Sequence, residues 1–163
     1  MFNLSFVHKF KVCFGLFPKA IADANADFIC LQETKQGEIT RFKAHTFLPP
    51  CYTAFDYFPS EGASAGILIA WKQKDFDVTV ISKARNFMTI KASSTASNLM
   101  CYLTNVYAPC DMSQRSYFFQ KMTQFKPTID GPWLLLGDFN IYRTPEEKNN
   151  SNINWRAMDE FNN

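Results

Sequence analysis

The chain has 163 residues, 47% apolar and 16% aromatic, with 17 Phe; this suits one domain, or part of a larger one, with a core of large rings, and excludes a disordered chain. A formal charge of +2 makes no bulk electrostatic case for nucleic acid, so any such case has to come from a local site. Five cysteines, an odd number with no CxxC pair, argue against both a disulfide framework and a structural zinc site, and fit a reducing compartment.

The first twenty residues, MFNLSFVHKFKVCFGLFPKA, have the look of a signal peptide. Lys9 and Lys11, however, leave only Val12 to Phe17 as an uncharged apolar stretch, too short for an h-region. No run approaches the length of a bilayer span, so an intracellular protein, nuclear or cytoplasmic, with no membrane partner is expected.

DFICLQ (Asp27 to Gln32) is a short apolar run that predicts a buried strand. AGILIAW (Ala65 to Trp71), after a Gly/Ser-rich loop, reads the same way. FDVTVIS (Phe76 to Ser82) places Phe76, Val78 and Val80 on one face of a half-buried strand. FMTIKA (Phe87 to Ala92) and LMCYLTNVYA (Leu99 to Ala108) continue an antiparallel meander, joined by the polar tract ASSTASN. Cys30 and Cys101, inside apolar runs, are predicted core residues.

A helix follows, capped by Asp111 or Ser113, with Phe118, Met122 and Phe125 at helical spacing and Pro127 ending it. PWLLLGDFN gives another buried strand. Thr144, Pro145, Glu146 and Glu147 form a cap, a first-turn proline and dipole-matched acids. Trp155, Met158 and Phe161 begin an apolar stripe that is cut short. Strands separated by helices on a meandering sheet predict an α/β layered fold.

Polar groups stand at the ends of three apolar strands: Glu33 after ICLQ, Asn105 and Tyr107 in LTNVYAP, and Asp138 and Asn140 in LLLGDFN. Side chains at strand ends are held by a packed sheet yet reach solvent, which is the placement that a preorganised site requires. Singly, each also reads as a solvated strand terminus, a half-buried aromatic or an Asp/Asn turn.

In combination and order, these motifs resemble the endonuclease/exonuclease/phosphatase superfamily with its DNase I-like fold. The segments ADFICLQETK, AGILIAW, LTNVYAPC and LLLGDFNIYRTPEEKNNSNINWRAMDEFN are similar to the endonuclease domain of plant non-LTR (LINE-type) retrotransposon polyproteins. The resemblance implies a DNase I-like α+β four-layer sandwich and a metal-dependent hydrolysis of DNA phosphodiesters. It assigns Glu33 to Mg²⁺ (or Mn²⁺) binding, Tyr107 and Asn140 to hydrogen bonds on the scissile phosphate, and Asp138 to the attacking water. No small-molecule cofactor is implied. Lys35, Arg143 and Lys148, beside the motifs, are candidates for flanking phosphates.

Two departures stand out. The family's later Asp and its closing Ser-Asp-His motif have no counterpart, since His8 and His45 both precede the second motif and neither follows Ser-Asp. Loss of one positioned acid–base group costs about 10² to 10⁴ in rate. The family's first-strand asparagine has only Asn3 as a candidate, without the usual tryptophan before it. The expectation is therefore a partial domain over residues 1–163 lacking its C-terminal half, supplying mainly the first sheet and its covering helices. Such a chain would be poorly active alone and would expose an apolar sheet face prone to self-association. The alternatives are a non-catalytic nucleic-acid or protein-binding remnant and a phosphatase of the same superfamily.

Overall fold

The computed structural model describes residues 4–7, 23, 25–62, 65–142, 144–147, 155, 158 and 159. They form two four-stranded sheets. The first has the order β1 (Leu4–Val7), β2 (Phe28–Gln32), β4 (Ile67–Trp71), β3 (Ala54–Phe58), and the second runs in sequence as β5 (Phe76–Ala84), β6 (Phe87–Ser94), β7 (Met100–Tyr107), β8 (Trp133–Asp138). The helices α1 (Arg41–Ala44) and α2 (Met112–Phe125) accompany them. Pairing is antiparallel except at β1–β2 and β7–β8.

The burial pattern explains the strand sequences. Every residue of β2 and β4 is buried, because both faces of that part of the sheet are covered, and strands covered on two faces read as unbroken apolar runs. In β5 only one face is covered, so Phe76, Val78 and Val80 pack inward while Asp77, Thr79 and Lys83 are exposed.

The layers stack in four. The segment carrying α1 lays Ile39, Ala44, Phe47, Leu48 and Tyr52 over Ile29, Leu31, Leu68 and Ala70, on the outer face of the first sheet. Between the sheets lie Phe28, Cys30, Ile67 and Ile69 from one side and Phe76, Met88, Ile90 and Leu103 from the other. On the outer face of the second sheet, α2 packs Phe118 and Met122 against Val106, with Phe87, Trp133 and Leu135 at the margin. Asp111 caps this helix: its Oδ1 accepts from the Gln114 N–H at 3.0 Å and from the Ser113 hydroxyl at 2.6 Å.

The α/β class and the layered sandwich agree with the sequence. The number of sheets does not. Residues 76–138 build a second sheet rather than extending the first, and its inner face covers the apolar surface that a single sheet would leave in water. After Thr144 comes a 3₁₀ turn, Pro145–Glu147, and residues 148–154 lie outside the described residues. Trp155 is exposed and Met158 buried; Phe161, like Asn3, His8, Arg143 and Lys148, lies outside the described residues.

A buried polar cluster crosses the apolar interlayer at β7. Asn105 of β7 is fully buried, accepts from the Gln32 side-chain amide, and donates to the Leu31 and Leu68 carbonyls at 3.0 and 2.9 Å. The sequence reading places Asn105 at a solvent-reaching strand end, whereas the first sheet closes over it. Asn105→Leu should leave the Gln32 amide without its acceptor and destabilise the fold by about 1–3 kcal/mol, read as a lower urea midpoint at unchanged slope. An unchanged midpoint would show that the contact contributes nothing.

Candidate functional site

β2 ends on Gln32, Glu33 follows it, and alternation would send their side chains to opposite faces. Both nevertheless engage β7. Gln32 reaches Asn105, and the Tyr107 hydroxyl donates to Glu33 Oε1 at 3.2 Å. The device is local: Glu33 has a left-handed backbone, φ 52°, which breaks the alternation at the cost of about 1 kcal/mol or more. The surrounding backbone holds it there. Thr34 and Lys35 N–H groups donate to the Gly66 and Ala65 carbonyls at 3.1 and 3.2 Å, continuing the β2–β4 ladder past the strands. A Cβ on Gly66 would lie 2.3 Å from Thr34 Oγ1, so this close approach requires glycine.

β8 reaches the same place from the other side. It runs parallel to β7, with Asp138 the partner of Tyr107 and Gly137 the partner of Val106. Gly137 has φ 146°, and a Cβ there would sit 1.9 Å from the Val106 carbonyl oxygen; no other residue allows the two strands this approach. Past Asp138 the chain turns. Phe139 is drawn to α2, stacking on Phe119 with ring centroids 6.5 Å apart. Asn140, at φ 51°, folds back so that its N–H donates to Asp138 Oδ1 at 2.9 Å and its side-chain amide donates to the Ala108 carbonyl. The Ala108 N–H in turn donates to the Asp138 carbonyl at 2.8 Å.

Tyr107 is thus the hub of the four residues singled out in the sequence. It bonds Glu33 across the interlayer and borders Asp138 along the ladder. Burial, followed by the negative charge and hydrogen bond of Glu33, pushes its phenol up to about 12, with Asp138 adding a smaller push in the same direction. At neutral pH Tyr107 is therefore a protonated donor. A cleft of about 450 Å³ opens beside it, lined among others by Arg85, Asn86, Cys110, Asp111 and Gln114.

The remaining sequence candidates fall out differently. Lys35 is exposed and approaches Glu33 Oε2 only to 4.0 Å. His45 is exposed at the C-cap of α1. Among the described residues no group of three or more His, Cys, Asp or Glu side chains forms a metal cluster, so an ion here would rely on one carboxylate with phosphate and water oxygens. Sequence reasoning missed two supporting residues. Gln32, a polar residue closing an apolar run, carried a visible signal. Arg115 did not: its guanidinium donates to the carbonyls of Asn140, Cys110 and Pro109 at 2.7, 3.0 and 3.5 Å, yet by position it reads as a solvated helix residue.

Burial also raises Tyr52, whose hydroxyl donates to the Ala26 carbonyl at 2.7 Å, to about 12. An ordinary tyrosine ionises near 10. The folded state therefore holds these protons more tightly than the unfolded chain, and the stability this confers is complete below pH 10 and lost as pH rises toward 12. The urea midpoint should fall over that interval, and Tyr107→Phe together with Tyr52→Phe should flatten the decline. A decline of the same slope in the double variant would contradict the assignment.

Comparison with known proteins matches residues 13–158 to the endonuclease/exonuclease/phosphatase family. Among curated proteins none matches the sequence. Solved structures with a similar fold include the AP endonuclease LMAP from Leishmania major, with a TM-score of 0.65 at 14% identity over 83% of this chain and 52% of that one. The endonuclease domain of TRAS1, a telomere-specific non-LTR retrotransposon, gives 0.60 at 16% identity over 96% and 65%. A family protein from Bacteroides thetaiotaomicron gives 0.58 at 13% identity over 91% and 58%. The chain thus spans between 52% and 65% of the length of these three structures. With the two-sheet sandwich and a family match that takes in Glu33, Tyr107, Asp138 and Asn140, the chain belongs to the endonuclease/exonuclease/phosphatase family.

Proposed function

We propose that the chain is a portion of a Mg²⁺-dependent DNA endonuclease domain of the retrotransposon type, with low activity by itself. The observation that carries this reading is the meeting of Glu33 with Tyr107 across the sandwich, beside Asp138 on the adjoining strand. The fold likeness to the TRAS1 endonuclease domain over 96% of this chain supports the choice within the family. The shorter length relative to such structures supports reading it as part of a longer domain.

The residues fit a hard divalent ion. Glu33 offers a half-buried carboxylate, its side chain 24% exposed, and carboxylate oxygen is the donor that a hard ion prefers. Mg²⁺ is commonly held by one or two carboxylates plus waters and substrate phosphate oxygens. When bound at Glu33, it would neutralise charge developing on the phosphate and leaving oxygen.

The chain's own groups have separable tasks. Asp138 accepts a proton from the attacking water. Tyr107, kept protonated by its surroundings, donates to a phosphate oxygen as its bond to Glu33 is exchanged. Asn140 uses one amide hydrogen to fix itself on the Ala108 carbonyl, leaving the amide plane set for the other to meet the phosphate.

The test is nicking of supercoiled plasmid. Weak cleavage that requires Mg²⁺ or Mn²⁺, disappears on chelation and drops by about 10² to 10⁴ in Glu33→Gln and Asp138→Asn is the expected result. Background nicking equal in all three proteins would reject an endonuclease. Saturable, salt-sensitive DNA binding without cleavage would instead select the non-catalytic binding role.

A further inference from the structure

Arg115 stands in an electrostatically unfavourable place for a cation. It lies in the first turn of α2, where the helix dipole favours negative charge, and that turn contains no acidic residue after the cap Asp111. The negative charge of Asp111, four residues before it, offsets part of that cost. Its other contacts reach further. From one turn into the helix the guanidinium reaches back over the helix start to the Pro109 and Cys110 carbonyls, and crosses to the carbonyl of Asn140 at 2.7 Å.

Resting on the functional reading above, we propose that Arg115 is a positioning residue that holds the Asp138–Asn140 turn against the end of β7. The turn needs such support. Asn140 adopts a left-handed backbone, a conformation that L-residues keep only when neighbouring groups enforce it, and Arg115 binds the carbonyl of that same residue. Two further ties between the turn and the loop after Tyr107 are neutral: Asn140 amide to Ala108 carbonyl, and Ala108 N–H to Asp138 carbonyl. A charge-assisted bond is stronger than these. All three carbonyls are met by the single terminal nitrogen Nη1, which lies one atom further along the side chain than a lysine ammonium. Without Arg115 the turn would remain attached through Phe139, but Asp138 and Asn140 would lose their fixed orientation toward a phosphate beside Tyr107.

Arg115→Met keeps the side chain's length and removes its donors, and because Arg115 is only half-buried the fold should survive. Amide hydrogen exchange followed by NMR gives a readout independent of activity. The Asn140 N–H, bonded to Asp138 Oδ1, should exchange about tenfold faster or more, while amides of β6 and β7 keep their wild-type rates. Where wild-type nicking is measurable, Arg115→Met should lower kcat with little change in KM, and Arg115→Ala should be partly restored by millimolar guanidinium, whereas Arg115→Lys should not recover full activity. Unchanged exchange at Asn140, or equal acceleration throughout the second sheet, would overturn the proposal. A wild-type chain that does not nick DNA would refute the functional reading alone, since the exchange measurement still decides whether Arg115 holds the turn.

Discussion

The contact between Asn105 and the far sheet is the constraint on which the geometry of the site depends. Apolar packing pulls the two sheets together but has no preferred direction, so Phe28, Ile69, Met88 and Leu103 set the thickness of the interlayer and leave the sheets freer to slide. Hydrogen bonds from the Asn105 amide to the Leu31 and Leu68 carbonyls, with Gln32 bonded to its oxygen, are directional. In a buried, low-dielectric setting such bonds are strong when made and costly when broken. They lock β2 against β7 immediately before Glu33 and two residues before Tyr107.

From that lock the site follows by short steps of chain. Two residues along β7, on the same face as Asn105, Tyr107 emerges at the rim; one residue along β2, a left-handed turn brings Glu33 round to meet it. β8 joins through parallel pairing, and Gly137 permits the close approach that sets Asp138 beside Tyr107. Three strand ends from two sheets thereby converge without any one loop having to be long. Glu33 and Asn140, two of the four residues proposed for the chemistry, share a left-handed backbone with Asn25, Lys35 and Ala65, and at Glu33 and Asn140 it turns the side chains against the local period.

Much of this was legible in the sequence, for identifiable reasons. Strands β2 and β4 to β8 announced themselves through apolar runs or alternation, and α2 through Asp111, the Phe118–Met122 spacing and Pro127. β3 was missed because TAFDYF is half-buried on both faces and so shows neither pattern. The division into two sheets was invisible, since local periodicity does not say which strands pair, and the single-sheet expectation came from that gap. Asn105 shows the limit most clearly: a polar residue near a strand end looks exposed until the opposite sheet is in place. The candidate site residues were picked out through family motifs, while Arg115, with no motif and no apolar neighbours to mark it, needed the fold to show which carbonyls it meets.

The central claim is that Glu33, Tyr107, Asp138 and Asn140 surround one place where a divalent ion and a phosphate can sit. Titration of the ¹⁵N-labelled chain with substoichiometric Mn²⁺ tests it most directly, because paramagnetic broadening reports distance from the ion. The account predicts that the backbone amides of these four residues broaden together, and that Glu33→Gln abolishes the effect at all of them. Broadening at Glu33 that leaves Asp138 and Asn140 sharp, or that centres on another part of the surface, would contradict it.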